Sequence, residues 1–241
     1  MVESQAQVSS DGNVTFQSYS FSSTATISSF SVPSGTNSLL VVYTIVTVGE
    51  TTTNVTFAGT PLTELGEFTD SYSLSIWYLA QGDLASATSG DIVATFSASN
   101  FGGGIYAISY KNVSQSTPME HFGSNDFGTA TTSSISVNSD SSNDLIVDFI
   151  TARNDGATPT LTKGAGQTKL GEQVNQISSL TLNSTYALSQ ELSGGSAIGM
   201  DWTISSHDDD ASYHIAANIN GVAASSNPEV PTLSEWGLII L

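Results

Sequence analysis

Three consecutive carboxylates, Asp208, Asp209 and Asp210, are the residues best suited to hold an ion. They stand in the acidic stretch Ser206-His207-Asp208-Asp209-Asp210. Calcium takes about six to eight oxygen ligands, and adjacent aspartates in a loop with nearby carbonyls can supply several. The Asp-x-Asp-x-Asp-Gly order of an EF-hand is missing, however, and consecutive aspartates also serve simply to keep a hairpin tip hydrated. Calcium is therefore the one candidate cofactor, set against a solvated loop.

Glu64, Glu67 and Glu172 are the carboxylates to weigh for glycoside hydrolysis, which needs two carboxyl groups facing each other across a cleft at about 5–10 Å. Glu67 and Glu172 each follow a Leu-Gly pair, which points to a shared structural role in a turn. The histidines His121, His207 and His214 show no zinc spacing, and no thiol is present to join them. His214 alternates with Tyr213 and Ile215, as a structural residue of a strand does. No serine occupies a Gly-x-Ser-x-Gly elbow. Neither Gly102-Gly103-Gly104 nor Gly164-Ala165-Gly166 has the order of a phosphate loop, and both read as turns. Trp77, Tyr78, Tyr106 and Tyr110 would form a sugar-stacking platform if they faced outward, but strand alternation sends half of such residues to the core. No catalytic residue is assigned, and the chain is expected not to be an enzyme.

The elements that must position these groups are strands. Helix-favouring Lys, Arg and Glu are scarce, charged residues make up 11% of the chain, and Ser, Thr, Gly and Asn fill the difference. Period-two alternation runs from Val14 through Phe16, Tyr19, Phe21, Ala25, Ile27, Phe30 and Val32, marking strands with one wet face. Leu39 to Val48 is apolar at almost every position, as in a strand covered on both sides. A second such run follows Asp144, as Asp144-Leu145-Ile146-Val147-Asp148-Phe149 after Ser38-Leu39-Leu40-Val41-Val42-Tyr43.

The flanking sequence repeats as well. Ser28-Ser29-Phe30-Ser31-Val32 matches Ser133-Ser134-Ile135-Ser136-Val137, and Thr63-Glu64-Leu65-Gly66-Glu67 matches Thr168-Lys169-Leu170-Gly171-Glu172. Trp77-Tyr78-Leu79 falls opposite Tyr186-Ala187-Leu188, and Lys111-Asn112-Val113 opposite Asn220-Gly221-Val222. An offset held near 105–109 residues is the signature of a duplicated unit. The predicted fold is all-β, an antiparallel β-sandwich of jelly-roll type built from two repeats of roughly six strands each. Its expected parts are a flexible N-terminus at 1–12, a body at 13–223 (repeat one about 14–114, repeat two about 130–223) and a spacer and tail at 224–241. The connection from Gln115 to Thr129 holds Pro118, Met119, Phe122 and Phe127, too apolar for a solvated linker. That favours one body with a shared core over two separate sandwiches.

Twenty-two acidic residues stand against 4 basic ones, for a net charge of −18. Such a surface repels phosphate backbones, so nucleic acid is excluded as a partner. With no cysteine, stability owes nothing to disulfides. The N-terminus lacks the basic and apolar regions of a signal peptide. It reads either as cytosolic or as a mature segment carrying a start methionine, and the C-terminus favours the second.

The tail carries Pro231, Thr232, Leu233, Ser234, Glu235, Trp236 and Gly237 in unbroken order after Val230. It resembles the IPTL-type C-terminal sorting signal of exported Gram-negative bacterial proteins, in which this motif precedes a transmembrane helix and a basic cluster. Val230 stands where that family usually has Ile, and only Leu238 to Leu241 follow, too few to span a bilayer that needs about 20 residues. The body resembles repeated β-sandwich modules of bacterial surface proteins through Asn37-Ser38-Leu39-Leu40-Val41-Val42, Phe57-Ala58-Gly59-Thr60-Pro61-Leu62-Thr63, Ile76-Trp77-Tyr78-Leu79 and Gly164-Ala165-Gly166-Gln167-Thr168. These resemblances imply a secreted or cell-surface protein with no membrane span in this chain. It would be structural or adhesive, a candidate homo-oligomer, filament or matrix subunit whose partners are other protein subunits or surface glycans. The alternative is a lectin-like carbohydrate-binding module, and behind it a glycan-cleaving enzyme.

Overall fold

A computed structural model describes residues 6–10, 14–33, 35, 37–47, 49–84, 88–100, 102–177, 182–207 and 212–222. In the first half the strands are β1 (Ser9–Ser10), β2 (Thr15–Tyr19), β3 (Ser22–Ser31), β4 (Leu39–Thr47), β5 (Thr52–Phe57), β6 (Thr60–Pro61), β7 (Thr63–Thr69), β8 (Tyr72–Ala80), β9 (Ser89–Asn100) and β10 (Gly103–Lys111). One short helix, α1 (Gln81–Leu84), follows β8. The second half contributes β11 (Met119–Asp126), β12 (Thr132–Val137), β13 (Leu145–Asn154), β14 (Thr160–Lys163), β15 (Thr168–Ile177), β16 (Leu182–Leu192), β17 (Ile198–Ser205) and β18 (Tyr213–Ile219).

Every strand pair is antiparallel, and each half makes two sheets. The inner sheet of the first half runs β1-β10-β4-β8-β7, with β2 also on β10, and its outer sheet runs β3-β9-β5-β6. The second half has an inner sheet β11-β18-β13-β16-β15 and an outer sheet β12-β17-β14. Strands β3 to β5 and β8 to β10 alternate between the sheets of the first half, and β11 to β15 and β16 to β18 between those of the second, as in a jelly roll, while β7–β8 and β15–β16 pair within the inner sheets. When β2 is set opposite β11 and β10 opposite β18, the two strand orders coincide.

The two inner sheets lie face to face, so the four sheets stack outer, inner, inner, outer. This stacking explains the apolar runs. Along β4 the side chains of Leu39, Val41, Tyr43 and Ile45 enter the central core. Leu40, Val42 and Val46 point the other way, toward the first outer sheet. On β13, Leu145, Val147 and Phe149 likewise enter the central core, while Ile146 and Ile150 face the second outer sheet. Outer strands keep one wet face, as the alternating burial of β12 and β17 records.

Aromatic rings of both halves fill the central layer, with Phe149 5.7 Å from Tyr43 and 5.2 Å from Tyr106, centroid to centroid. Phe68 of the first half meets Tyr213 of the second at 5.3 Å. The aligned segments 111–113 and 220–222 touch each other: Val113 bridges Gly221, and Val222 N donates to Asn112 O at 3.1 Å. Gly66 on β7 lies under the ring of Phe122 on β11, where a Cβ would stand 2.6 Å from the ring. Strand edges of the two halves therefore approach as closely as glycine permits.

These contacts correct some expectations and refine others. In the N-terminal segment expected to be flexible, residues 6–10 are docked. Val8 is buried in the central core, and its N–H donates to Asn143 O at 3.0 Å. The apolar connection 115–129 carries β11, an edge strand of the second inner sheet, because Met119 and Phe122 reach the central core. Glu67 and Glu172 lie in edge strands, each just past a β-bulge, instead of in turns. The extra residue of each bulge re-aims Leu65 and Leu170 against the central core. Gly103 and Gly104 belong to β10, because a Cβ on Gly103 would meet the Ile45 carbonyl oxygen at 2.0 Å. Cross-strand register sets Ile76 opposite Tyr43 and Leu188 opposite Phe149. Trp77-Tyr78-Leu79 thus corresponds to Ser189-Gln190-Glu191, displaced from the Tyr186-Ala187-Leu188 alignment.

The buried phenols give the fold an alkaline limit. Burial raises Tyr43, Tyr106, Tyr110 and Tyr186 well above the ordinary tyrosine range, and Tyr213 is pushed up to about 12 by burial, with Asp70 adding to it. Unfolded phenols ionise near pH 10, so above that pH the unfolded chain releases protons that the native chain holds, and stability falls as pH rises. The melting temperature should drop steeply above about pH 10. Tyrosinate absorbance should then rise in the same step that abolishes the far-UV circular dichroism of the strands. Gradual ionisation with that signal retained would contradict the burial of these rings.

Candidate functional site

Asp148 breaks the apolar run from Leu145 to Ile150 of β13, on the face toward the second outer sheet. It is fully buried, and a lone carboxylate there would cost several kcal/mol. Donors from four segments surround it. Its Oδ1 accepts from Ser189 N at 2.8 Å and Ser189 Oγ at 2.7 Å. Its Oδ2 accepts from Trp202 Nε1 at 2.7 Å, His214 Nε2 at 3.1 Å and Gln167 Nε2 at 3.3 Å. Ser189 lies on β16, Trp202 on β17, His214 on β18, and Gln167 just before β15.

The chain of bonds continues through the imidazole. His214 Nδ1 stands 3.0 Å from Ser133 Oγ on β12, which in turn accepts from Asn125 Nδ2 on β11 at 3.0 Å. A carboxylate can only accept, so Nε2 carries the proton shared with Asp148. The Ser133 hydroxyl has no other hydrogen-bonding partner among the described residues. Its hydroxyl accepts from Asn125 and donates to Nδ1, which fixes the tautomer. Asn125, Ser133, His214 and Asp148 thus form a one-directional relay across the interior between the sheets. A serine whose proton faces a histidine base, itself oriented by a carboxylate, is the arrangement of an activated nucleophile. Ser133 is 3% exposed and His214 is fully covered, so no dissolved substrate reaches the relay.

The sequence reads His214 as a structural strand residue and does not reveal its partners. The usable signal was Asp148 itself, a charge at the position where the first half has Val42. The first half answers with a neutral network: Trp77 Nε1 donates to Ser75 Oγ at 2.7 Å, and Ser75 Oγ lies 2.6 Å from Thr44 Oγ1.

The other candidates are placed as follows. Asp208, Asp209 and Asp210 lie outside the described residues, as do Pro231, Thr232, Leu233, Ser234, Glu235, Trp236 and Gly237. Glu64 and Glu67 share one edge strand, where burial raises the Glu64 carboxyl and Glu67 adds to it. Glu67 accepts from Ser73 Oγ, and Glu172 pairs with Lys169 at 2.6 Å. A shallow cavity of about 230 Å³ beside Thr15, Phe30 and Ser109 has no carboxylate in its wall, and one of about 260 Å³ beside Gly166 has Glu191 alone. Neither offers the facing pair that glycoside hydrolysis requires. Trp77, Tyr106 and Tyr110 are buried and Tyr78 is half-buried against the central core, so these four do not form an exposed platform. His121 stands 3.5 Å from Glu120, and with Asp140 these side chains offer ligand atoms within 4.8 Å of one another on the surface.

No helix among the described residues is long and apolar enough to cross a membrane. Comparison of the chain with protein-family models, with curated proteins and with solved structures finds no match.

Proposed function

We propose that this chain is a non-catalytic structural or adhesive protein, exported to the surface of a Gram-negative bacterium and suited to be the subunit of a filament or matrix. The observation that carries the reading is the central core, in which residues from Val8 to Ile219 and from both jelly rolls form one apolar cluster. Such a core makes two sandwiches resist deformation as one, which a load-bearing subunit needs. We take the two halves to be copies of one unit, on the coinciding strand orders and the paired bulges. The acidic surface, at −18, keeps such a protein dispersed and away from nucleic acid. Export rests on the likeness of residues 230–237 to the sorting signal.

Assembly is the property to test. Its source would be the apolar tail, Leu233, Trp236 and Leu238 to Leu241, adding as a strand to the sheet edge of a neighbouring copy. The full chain should form particles larger than a monomer by light scattering and electron microscopy, and deletion of residues 228–241 should abolish them. Identical monomers with and without the tail would contradict tail-driven assembly. Calcium-dependent binding on a glycan array would move the assignment to a lectin.

A further inference from the structure

A nucleophile that dissolved substrates do not reach can react only with groups already beside it. Next to Ser133 that group is the side-chain carboxamide of Asn125, whose nitrogen is 3.0 Å from the serine oxygen. We propose that Ser133 and Asn125 react with each other to form an intramolecular ester, a covalent link between β11 of the inner sheet and β12 of the outer sheet.

The chemistry uses groups already in contact. His214 Nδ1, 3.0 Å from Ser133 Oγ, takes the hydroxyl proton as the oxygen attacks Cγ of Asn125. Asp148, 3.1 Å from Nε2, holds the ring in the tautomer this requires and stabilises the imidazolium that forms. The tetrahedral adduct collapses with cleavage of the Cγ–Nδ2 bond. The proton on His214 passes to the departing nitrogen, which leaves as ammonia. One C–O bond replaces one C–N bond, and no oxidant, metal or co-reactant is consumed. In the observed geometry the amide nitrogen, not its carbon, faces the serine. The terminal torsion of asparagine is soft, so a rotation about it turns the face of the amide carbon toward the serine, and a change of side-chain rotamer brings the oxygen onto that carbon. The alcohol side of the product, Ser133, is 3% exposed, and the acyl side, Asn125, is partly buried on its edge strand. The relay is thus explained as a single-use catalyst whose substrate is its own edge strand, and this stands whether or not the chain assembles or is exported.

Intact-mass spectrometry of the full chain tests the proposal. The folded protein should weigh about 17 Da less than its sequence, the mass of the ammonia released by acyl transfer from an amide. Ser133→Ala and His214→Gln should each restore the full mass. In a denatured digest cut after Phe127, the fragments bearing Asn125 and Ser133 should stay joined until hydroxylamine splits the ester. Full sequence mass in the folded wild-type protein would overturn the proposal. So would a deficit that persists in Ser133→Ala, which is the result of cyclisation of asparagine onto its own backbone. Should the variants fail to fold, the wild-type digest decides alone: separate fragments, or a link that hydroxylamine leaves intact, count against the ester.

Discussion

Asp148→Ala should destabilise the protein by about 3–5 kcal/mol, or roughly 6–20 °C in melting temperature. The effect does not come from losing a favourable charge. It comes from leaving the Ser189 N–H, Trp202 and His214 with donors aimed at an empty place in a dry interior, each stranded donor costing about 1–3 kcal/mol, while Gln167 keeps its bond to Ser189 Oγ. Asp148→Asn should fall between alanine and wild type, since the amide keeps one acceptor oxygen but turns two N–H groups toward existing donors. Asp148→Val, which copies the residue at the corresponding place in the first half, should be no better than alanine while the donors remain. Chemical denaturation read by tryptophan fluorescence is well suited to the comparison, because Trp202 touches the carboxylate directly. A loss below about 1 kcal/mol for alanine would mean that the buried network is not formed.

Leu40→Asp and Ile146→Asp should each unfold the whole chain. Leu40 faces the first outer sheet and Ile146 the second, and both are fully covered. An isolated carboxylate at either place costs several kcal/mol on top of the lost apolar burial, against a total stability of about 5–15 kcal/mol for a typical domain. The substitutions sit in opposite halves, yet the expected loss is global, because unfolding one half strips the cover from the central core of the other. Far-UV circular dichroism of either variant should show loss of strand signal throughout. A variant with wild-type melting temperature would contradict the burial of that strand.

The layering was legible in the sequence wherever one residue type had one physical meaning. Nine successive buried residues from Leu39 to Thr47 can only be a strand covered on both faces, and alternation such as Ser133 to Val137 can only be a strand with one wet face. The correspondence between the two halves was less legible where composition was ambiguous. Tyr186-Ala187-Leu188 resembles Trp77-Tyr78-Leu79 as letters, and only the hydrogen-bond register showed the three-residue slip. The bulges were hidden too, since a Leu-Gly pair suits a turn and a bulge alike. The relay was illegible for a different reason. Asn125, Ser133, Asp148 and His214 come from four strands, and no local spacing links them before the sheets are stacked. What the sequence did expose was a single aspartate in an apolar strand, a sign that donors had to converge there.

Scanning calorimetry of the unmodified chain tests most directly the claim that two jelly rolls share one core. A single endotherm is expected, with calorimetric and van't Hoff enthalpies that agree, as for a two-state unit. Two resolved transitions, each with about half the enthalpy, would contradict it by showing that each sandwich stands without the other.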